Sequence, residues 1–428
     1  MPKVIIAGGG IAGCAAALAA RKAGAEVVLF ERTDMLFGVA VRSGEVNGNG
    51  WFIGQKELRF LGGGEFFAAL ESLKIHDNAR FPDAPAGHPF IFHTGLAEPL
   101  VRKMVLGAGV EVHFETRVVN ARKKGARIEA VKLTDGSWVE GHAFVDATGA
   151  RGGLSVCTRY GKGCMMCLVR CIPFGDRMGI ADKIGGRELG RTRPDGTPGT
   201  VNSAVAVFKD TLAPWLKAKV EKEGLLRIPL PEALVDSAKV GIGDAARPKE
   251  FVENIILGDI GPVAKCFGMV YMPQEQIRKV PGFENVQVED PHRSSFNHIC
   301  NFVFSERDTA LRATGWENLF CAGERAGHGG VVGAMGTGYL AGNNAARAVL
   351  GLEPLVLSAS LALGDWIAHV GEQYATAEGR KKHFGMGRGA YWERMLKMGL
   401  YTESDSAIEQ RVAEAGLSNV FARRLGKS

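Results

Sequence analysis

Apolar and polar positions along the chain fall into alternating strand-like and helix-like stretches. Val4–Ala7 is a four-residue apolar run, the pattern of a strand buried on both faces. An alanine-rich stretch follows to about Ala23, and Gly24 supplies a helix stop. Glu26–Phe30 then predicts a second strand. The pattern returns in "HAFVDATGAR", a strand ending at Asp146-Ala147-Thr148-Gly149. It returns again in "NLFCAGERAGHGGVVGAMGTGYLAGNNAAR", a strand ending at Gly323-Glu324, then a glycine-rich loop and a helix from about Thr337. Between these, "TVNSAVAVFKD" and "AKCFGMVYM" read as strands and "LAPWLKAKVEKEG" as a helix. Beyond Pro354 the pattern is helical with short loops.

Glycine spacing adds chemistry to the first unit. Gly8, Gly10 and Gly13 form G-x-G-x-x-G between the first strand and helix. The first glycine permits the tight turn, the second lets a pyrophosphate approach the backbone, and the third lets helix and strand pack closely. The helix amino terminus offers free N–H groups and a positive dipole end to a phosphate. Glu31 stands at the end of the second strand, with Arg32 beside it, placed to accept hydrogen bonds from a ribose diol.

With the two later strands, the chain resembles the two-dinucleotide-binding-domain, glutathione-reductase-like flavoproteins over about residues 1–35, 90–155 and 315–350. The resemblance implies a noncovalent FAD. It places Thr148 and Gly149 near that FAD, Gly323 and Glu324 at its ribityl chain, and a helix end with Gly336, Thr337 and Gly338 at the flavin ring. No second G-x-G-x-x-G unit stands out, so no separate NAD(P)H domain is expected. The fold class is therefore α/β: a Rossmann-like FAD-binding domain with an inserted sheet-containing substrate domain and a helical C-terminal tail. The expected division is 1–155 with 311–352 for the discontinuous FAD domain, 156–310 for the insert with its cysteine-rich segment, and 353–428 for the tail.

Two narrower resemblances follow. "GQKELRFLGGGEFFAAL" and the late glycine-rich stretch are similar to the glucose-inhibited division protein A family and its relative, the folate-dependent tRNA uridine methyltransferase. Those enzymes modify tRNA uridines with FAD and catalytic cysteines. Residues 32–66 hold no cysteine here, so those catalytic cysteines do not carry over. "GAGVEVHFETRVVNARKKGARIEAVKLTDGSWVEGHAFVDATG" resembles the broad FAD-dependent oxidoreductases that include heterodisulfide reductase flavin subunits, some of which carry iron–sulfur clusters.

Four of the chain's 8 cysteines, Cys157, Cys164, Cys167 and Cys171, crowd into "CTRYGKGCMMCLVRCIP". The C-x2-C-x3-C run with a following proline partly matches a ferredoxin ligand run, although the first spacing is longer. These residues lead to an expected [4Fe–4S] cluster, which also offers electrons a route that needs no NAD(P)H domain. Three other readings stay open: a redox dithiol of Cys164 and Cys167, a zinc site, and packing on one helical face at i, i+3 and i+7.

Charge changes the picture little. The net charge is +6, and residues 156–194 carry most of the excess, as a solvated basic face or a docking surface for an acidic partner or RNA. "EDPHRSSFNHICNF" offers Arg293 and His298, and the late loop offers His328, as candidates for anion binding or proton transfer. No apolar run reaches the length of a membrane span, and a strand beginning at residue 3 leaves no room for a signal peptide. The expectation is a cytoplasmic FAD-dependent oxidoreductase coupling flavin chemistry to a [4Fe–4S] cluster. It acts on a small-molecule substrate or a redox partner protein and forms a homo-oligomer. The alternatives are an FAD-dependent tRNA or rRNA uridine-modifying enzyme, in which nucleic acid is the partner, and a non-catalytic electron-transfer subunit.

Overall fold

The computed structural model describes residues 2–38, 40, 43–46, 50–77, 90–149, 179–192, 200–201, 205–235, 249–267, 272, 274–289, 300–301, 303–382, 384–387 and 389–426. In chain order, the amino-terminal part begins with β1 (Lys3–Ala7), α1 (Ile11–Ala23), β2 (Glu26–Phe30), α2 (Gly50–Phe60) and α3 (Thr94–Gly107). It continues with β3 (Glu111–His113), β4 (Val118–Lys124), β5 (Arg127–Leu133), β6 (Trp138–Glu140) and β7 (Ala143–Asp146). The middle holds β8 (Glu188–Gly190), β9 (Val205–Val207), α4 (Pro214–Glu223), β10 (Leu225–Pro229), β11 (Asn254–Asp259), β12 (Ala264–Phe267) and β13 (Val303–Ser305). The last part holds β14 (Leu319–Cys321), α5 (Gly330–Val349), α6 (Ala362–Ala375), α7 (Gly389–Lys397) and α8 (Asp405–Glu414).

The expected buried strands form one sheet of order β14-β7-β1-β2-β3, parallel throughout. Apart from half-buried Lys3 at the start of β1 and buried Asp146 at the end of β7, its strands β1, β7 and β14 are apolar and buried, as a sheet covered on both faces requires. One cover is α1, whose alanines let the chain come close on every side; all its residues but Arg21 and Lys22 are buried. Gly24 closes it in the left-handed region at φ 103°, where a side chain is disfavoured.

The late helix begins at Gly330, about two turns before the position its glycines suggest. Those glycines remain helical because they face other backbone. A Cβ on Gly338 would lie 2.4 Å from Ala12 O, and one on Gly342 would lie 2.1 Å from Ala16 O. The close crossing of α5 on α1 outweighs a cost of about 1 kcal/mol per helical glycine.

The inserted strands build an antiparallel sheet of order β9-β12-β11-β10. Its two faces alternate along the chain as a half-and-half sheet requires. Val205, Val207, Ile255, Leu257 and Cys266 join a core with Leu216 and Val220 of α4. Ala206, Ile256 and Phe267 face the other way, packing with Ile91 and Ile260. The tail is helical, as expected. It is tied to the amino-terminal part by Glu57 of α2, whose carboxyl group accepts from Ala362 N (2.7 Å) and Leu363 N (2.8 Å) at the start of α6.

Candidate functional site

The register of the parallel sheet decides where a site can form. Ala7 pairs with Phe30 and Asp146, and Asp146 pairs with Cys321, so β1, β2, β7 and β14 end along one edge. Ligands of open α/β sheets bind beyond such carboxyl ends. The loops leaving these strands enclose a cavity of about 510 Å³, a size suited to a large part of a cofactor.

The first loop is shaped by backbone contacts. Gly8 lies at φ 101°, and a Cβ there would meet Ala147 O at 2.5 Å. A Cβ on Gly13 would lie 1.8 Å from Gly8 O. Gly10 differs: a Cβ there meets nothing within 4 Å, and Gly10 lines the cavity. It also caps α1, with no side chain filling the cap and no acid in the first turn. The start of α5 is built the same way, capped by Gly329 without a side-chain bond. Gly330, Val331 and Ala334 of that first turn line the same cavity. Two helix amino termini therefore open onto one space, each with no side-chain cap, no acid in its first turn and a positive dipole end.

Glu31 supplies the opposing polarity. One of its oxygens accepts from Gly9 N (2.7 Å) and the other from Thr33 N and Thr33 Oγ1 (both 2.9 Å). These bonds fix the carboxylate at the cavity wall with acceptor capacity left over. On the β7 side, Thr148 donates from N (3.2 Å) and Oγ1 (2.7 Å) to Asp146 Oδ1, which sets the turn carrying Gly149 at φ 78°. On the β14 side, Thr337 Oγ1 accepts from Gly323 N (2.8 Å) and donates to Gly333 O (2.6 Å).

Of the residues expected at the cofactor, Gly8, Gly10, Glu31, Arg32, Thr148, Gly149, Gly323 and Glu324 line the cavity. Gly13, Gly336, Thr337 and Gly338 do not. Gly13 and Gly338 serve close packing, Gly336 faces Leu363 of α6, and Thr337 holds the Gly323 loop from behind. Gly336 and Gly338, expected to let backbone approach a flavin ring, face Leu363 and Ala12 O, and the earlier start of α5 puts Gly330 and Val331 at the cavity instead. Sequence reading missed Thr33, Phe37, Ser43 and Thr116–Val118, which also line the cavity. Phe37 sits at φ 72° and donates its N–H to Gly9 O (2.8 Å), a long-range turn with no local signature. Thr116–Val118 follow the edge strand β3, and the strand order was the signal for them.

His328 is fully buried and does not line the cavity. Its Nδ1 sits 2.9 Å from Ala326 O, and its ring meets Trp366 edge-on at 4.5 Å. Burial, with Arg307 adding repulsion, pushes its pKa down to about 3, so it is neutral across the physiological range. That environment does not suit a proton-transfer residue at the flavin. Arg293, His298, Cys157, Cys164, Cys167 and Cys171 lie outside the described residues. Cys14, Cys266 and Cys321 are free and buried, and burial pushes each thiol up to about 12. No cluster of metal-ligating side chains occurs among the described residues.

Known proteins share this plan. Residues 3–155 match the family described as FAD dependent oxidoreductase, and residues 266–353 match glucose inhibited division protein A. The first match spans the β1–α1–β2 unit and β7, and the second spans β14 and α5, so both fall on the strands that frame the cavity. Among curated relatives, the methylenetetrahydrofolate–tRNA-(uracil-5-)-methyltransferase TrmFO of Lysinibacillus sphaericus is 35% identical over 104 residues, 23% of each chain. The enzyme of the same name from Geobacter sulfurreducens is 34% identical over 96 residues, 22% of this chain and 21% of the relative. The matched part thus spans under a quarter of those relatives. Among solved structures, Aquifex aeolicus GidA superposes with a TM-score of 0.64 at 18% identity, covering 96% of this chain and 76% of that one. The fold is shared with GidA over almost the whole chain.

The residues of the cavity fit FAD, the cofactor named in the matching family's description. The open space at Gly10, the two uncapped helix starts and the Glu31 carboxylate suit a pyrophosphate, a polar ring edge and a ribose diol in one molecule. Leu36, Phe37 and Val331 supply apolar wall. No helix among the described residues is long and apolar enough to cross a membrane.

Proposed function

We propose that the chain binds FAD noncovalently in this cavity and works as an FAD-dependent oxidoreductase. The observation that carries the reading is the convergence of two uncapped helix amino termini and Glu31 on one space. FAD supplies two-electron hydride chemistry and one-electron transfer. In this reading the α1 start holds the pyrophosphate, Glu31 the adenosine ribose and Glu324 the ribityl chain. The α5 start faces the pyrimidine side, where reduction places negative charge. The finer proposal is that Cys157, Cys164, Cys167 and Cys171 hold a [4Fe–4S] cluster that passes electrons singly to or from the flavin. Their spacing supports it. The discontinuous domain division, a cytoplasmic location, a homo-oligomer and roles for Arg293 and His298 at a substrate belong to the same proposal. Anaerobic purification with flavin, iron and sulfide analysis tests it. FAD with near-stoichiometric iron and sulfide is the expected result, and yellow protein without iron defeats the cluster.

A second reading has its own support, because the curated relatives named above are tRNA uracil methyltransferases. In it the chain modifies an RNA uridine. A tRNA mobility shift that weakens steeply with salt, together with iron-free protein, is its expected signature.

A further inference from the structure

Arg325 directly follows the cavity-lining Glu324, yet its side chain is fully buried and points away to a different task. Its Nε donates to Asp146 Oδ2 (3.3 Å), its Nη2 to Glu188 Oε1 and Ser305 Oγ (3.0 Å), and its Nη1 to Val303 O (3.2 Å). Gly179 leaves room for it: a Cβ there would lie 2.0 Å from Nη2. Asp146 carries the other half of the junction. Its Oδ1 fixes Thr148 of the cavity wall, and its Oδ2 also accepts from Ile180 N (2.8 Å). One guanidinium thus joins the end of β7 and the turn after β14 to two pieces of the inserted region. These are the segment Ile180–Gly190 and its antiparallel partner β13.

The chemistry makes the junction all-or-none. A buried guanidinium has every reason to keep its carboxylates, since an unpaired charge in a dry interior is costly. Opening the Ile180–Gly190 segment removes Glu188 from Arg325 and the Ile180 donor from Asp146 together. Both remaining groups hold the cavity wall: Asp146 fixes Thr148, and Arg325 is in the same turn as Gly323 and Glu324. Conversely, a ligand that holds that wall in place holds both partners ready for the segment. Coupling between two such events is reciprocal by thermodynamic necessity.

We propose that Arg325 is a positioning residue that makes FAD binding and the docking of Ile180–Gly190 one coupled event. The proposal rests on the reading of the cavity as an FAD site. The full chain is prepared free of FAD and titrated with FAD by flavin fluorescence. Amide hydrogen exchange over Ile180–Gly190 is followed with and without FAD. In the wild type, FAD slows exchange in that segment. Arg325→Met weakens FAD binding at least tenfold and removes the protection, and Arg325→Lys restores part of both. Glu188→Gln, which lies outside the cavity, also weakens FAD binding, and adding it to Arg325→Met costs less than the two single effects combined. If Arg325→Met does not fold, Glu188→Gln carries the test alone. Wild-type FAD affinity in Glu188→Gln, or exchange in the segment that ignores FAD in the wild type, overturns the coupling. Wild-type protein that takes up no FAD overturns the cofactor reading itself.

Discussion

Gly10 and Gly13 stand three residues apart in one motif, and the structure assigns them opposite tasks that alanine separates. A methyl at Gly13 would lie 1.8 Å from Gly8 O, against rigid backbone. Overpacking of that kind costs about 1–3 kcal/mol. For a unit of roughly 150–250 residues this lowers Tm by about 2–12 °C. The clash is internal, so the loss is already present without FAD. Gly10 has φ −65° and ψ 177°, backbone that alanine adopts freely, and its methyl enters open space. Without ligand, Gly10→Ala is therefore neutral or stabilising by about 0.4–1 kcal/mol, through the unfolded chain. With ligand, the methyl holds a phosphate away from the helix start. Losing one hydrogen bond to a charged group costs about 1.5–3 kcal/mol, a weakening of roughly 10- to 150-fold. Differential scanning fluorimetry of FAD-free protein and fluorescence titration with FAD measure the two effects. A Gly10→Ala chain with wild-type FAD affinity, or a Gly13→Ala chain with wild-type Tm, refutes the division.

Burial raises the Glu57 carboxyl to about 7, above its ordinary value of 4.5. Between those values the folded chain binds more protons than the unfolded one, so this group's contribution declines as pH rises from about 4.5 to 7. The loss is about 3 kcal/mol at most, and Glu57→Gln flattens that part of a Tm–pH curve; an unchanged slope counts against it. His328 has the opposite sign. Its folded value of about 3 makes the unfolded chain the better proton binder below about pH 6.5, so acid destabilises the fold. Its ring signals in a proton NMR titration stay flat from pH 5 to 8, and a midpoint near 6.5 contradicts the buried, neutral ring. Thr337→Val leaves Gly323 N–H without its acceptor, which costs about 1–3 kcal/mol in thermal unfolding and weakens FAD binding through the Gly323 loop. Gly342→Ala, aimed at Ala16 O, lowers Tm equally with and without FAD; restoration of wild-type Tm by FAD contradicts a purely packing role.

What was legible in the sequence was local. Val4–Ala7, Gly24 and Glu26–Phe30 announce their own structure, since a buried strand is apolar and a left-handed helix stop takes glycine. Glu31 could be placed because it sits one residue beyond a strand. The start of α5 was not legible, because Gly333, Gly336 and Gly338 look like a loop until Ala12 O, Leu363 and Trp366 stand beside them. Phe37 and Ser43 reach the cavity through a turn pinned by Gly9 O, a contact that exists only once β1 and β2 are paired. The Arg325 junction was hidden for the same reason. Its partners Asp146, Glu188 and Ser305 are far apart in the chain and meet only when the inserted segment docks.

The cysteines bring both functional readings to one place. Cys14 donates from Sγ to Gly9 O (3.2 Å) and is buried near the Glu31 and Glu98 carboxylates, so its thiol stays protonated. Cys266 is enclosed in the core of the inserted sheet, and Cys321 is buried beside Asp146. With thiols pushed up to about 12, the thiolate fraction at neutral pH is on the order of one in a hundred thousand. These three can neither attack nor ligate without leaving their packing. A cluster needs thiolates as ligands, and any cysteine nucleophile in the RNA reading needs the thiolate too. If either reading holds, its thiolates come from Cys157, Cys164, Cys167 and Cys171, with Cys300 the one further cysteine in the sequence. Replacing those four with serine abolishes iron and sulfide content and leaves FAD in place if the cluster reading holds. If the RNA reading holds, the same replacement costs modification activity in a protein that never carried iron.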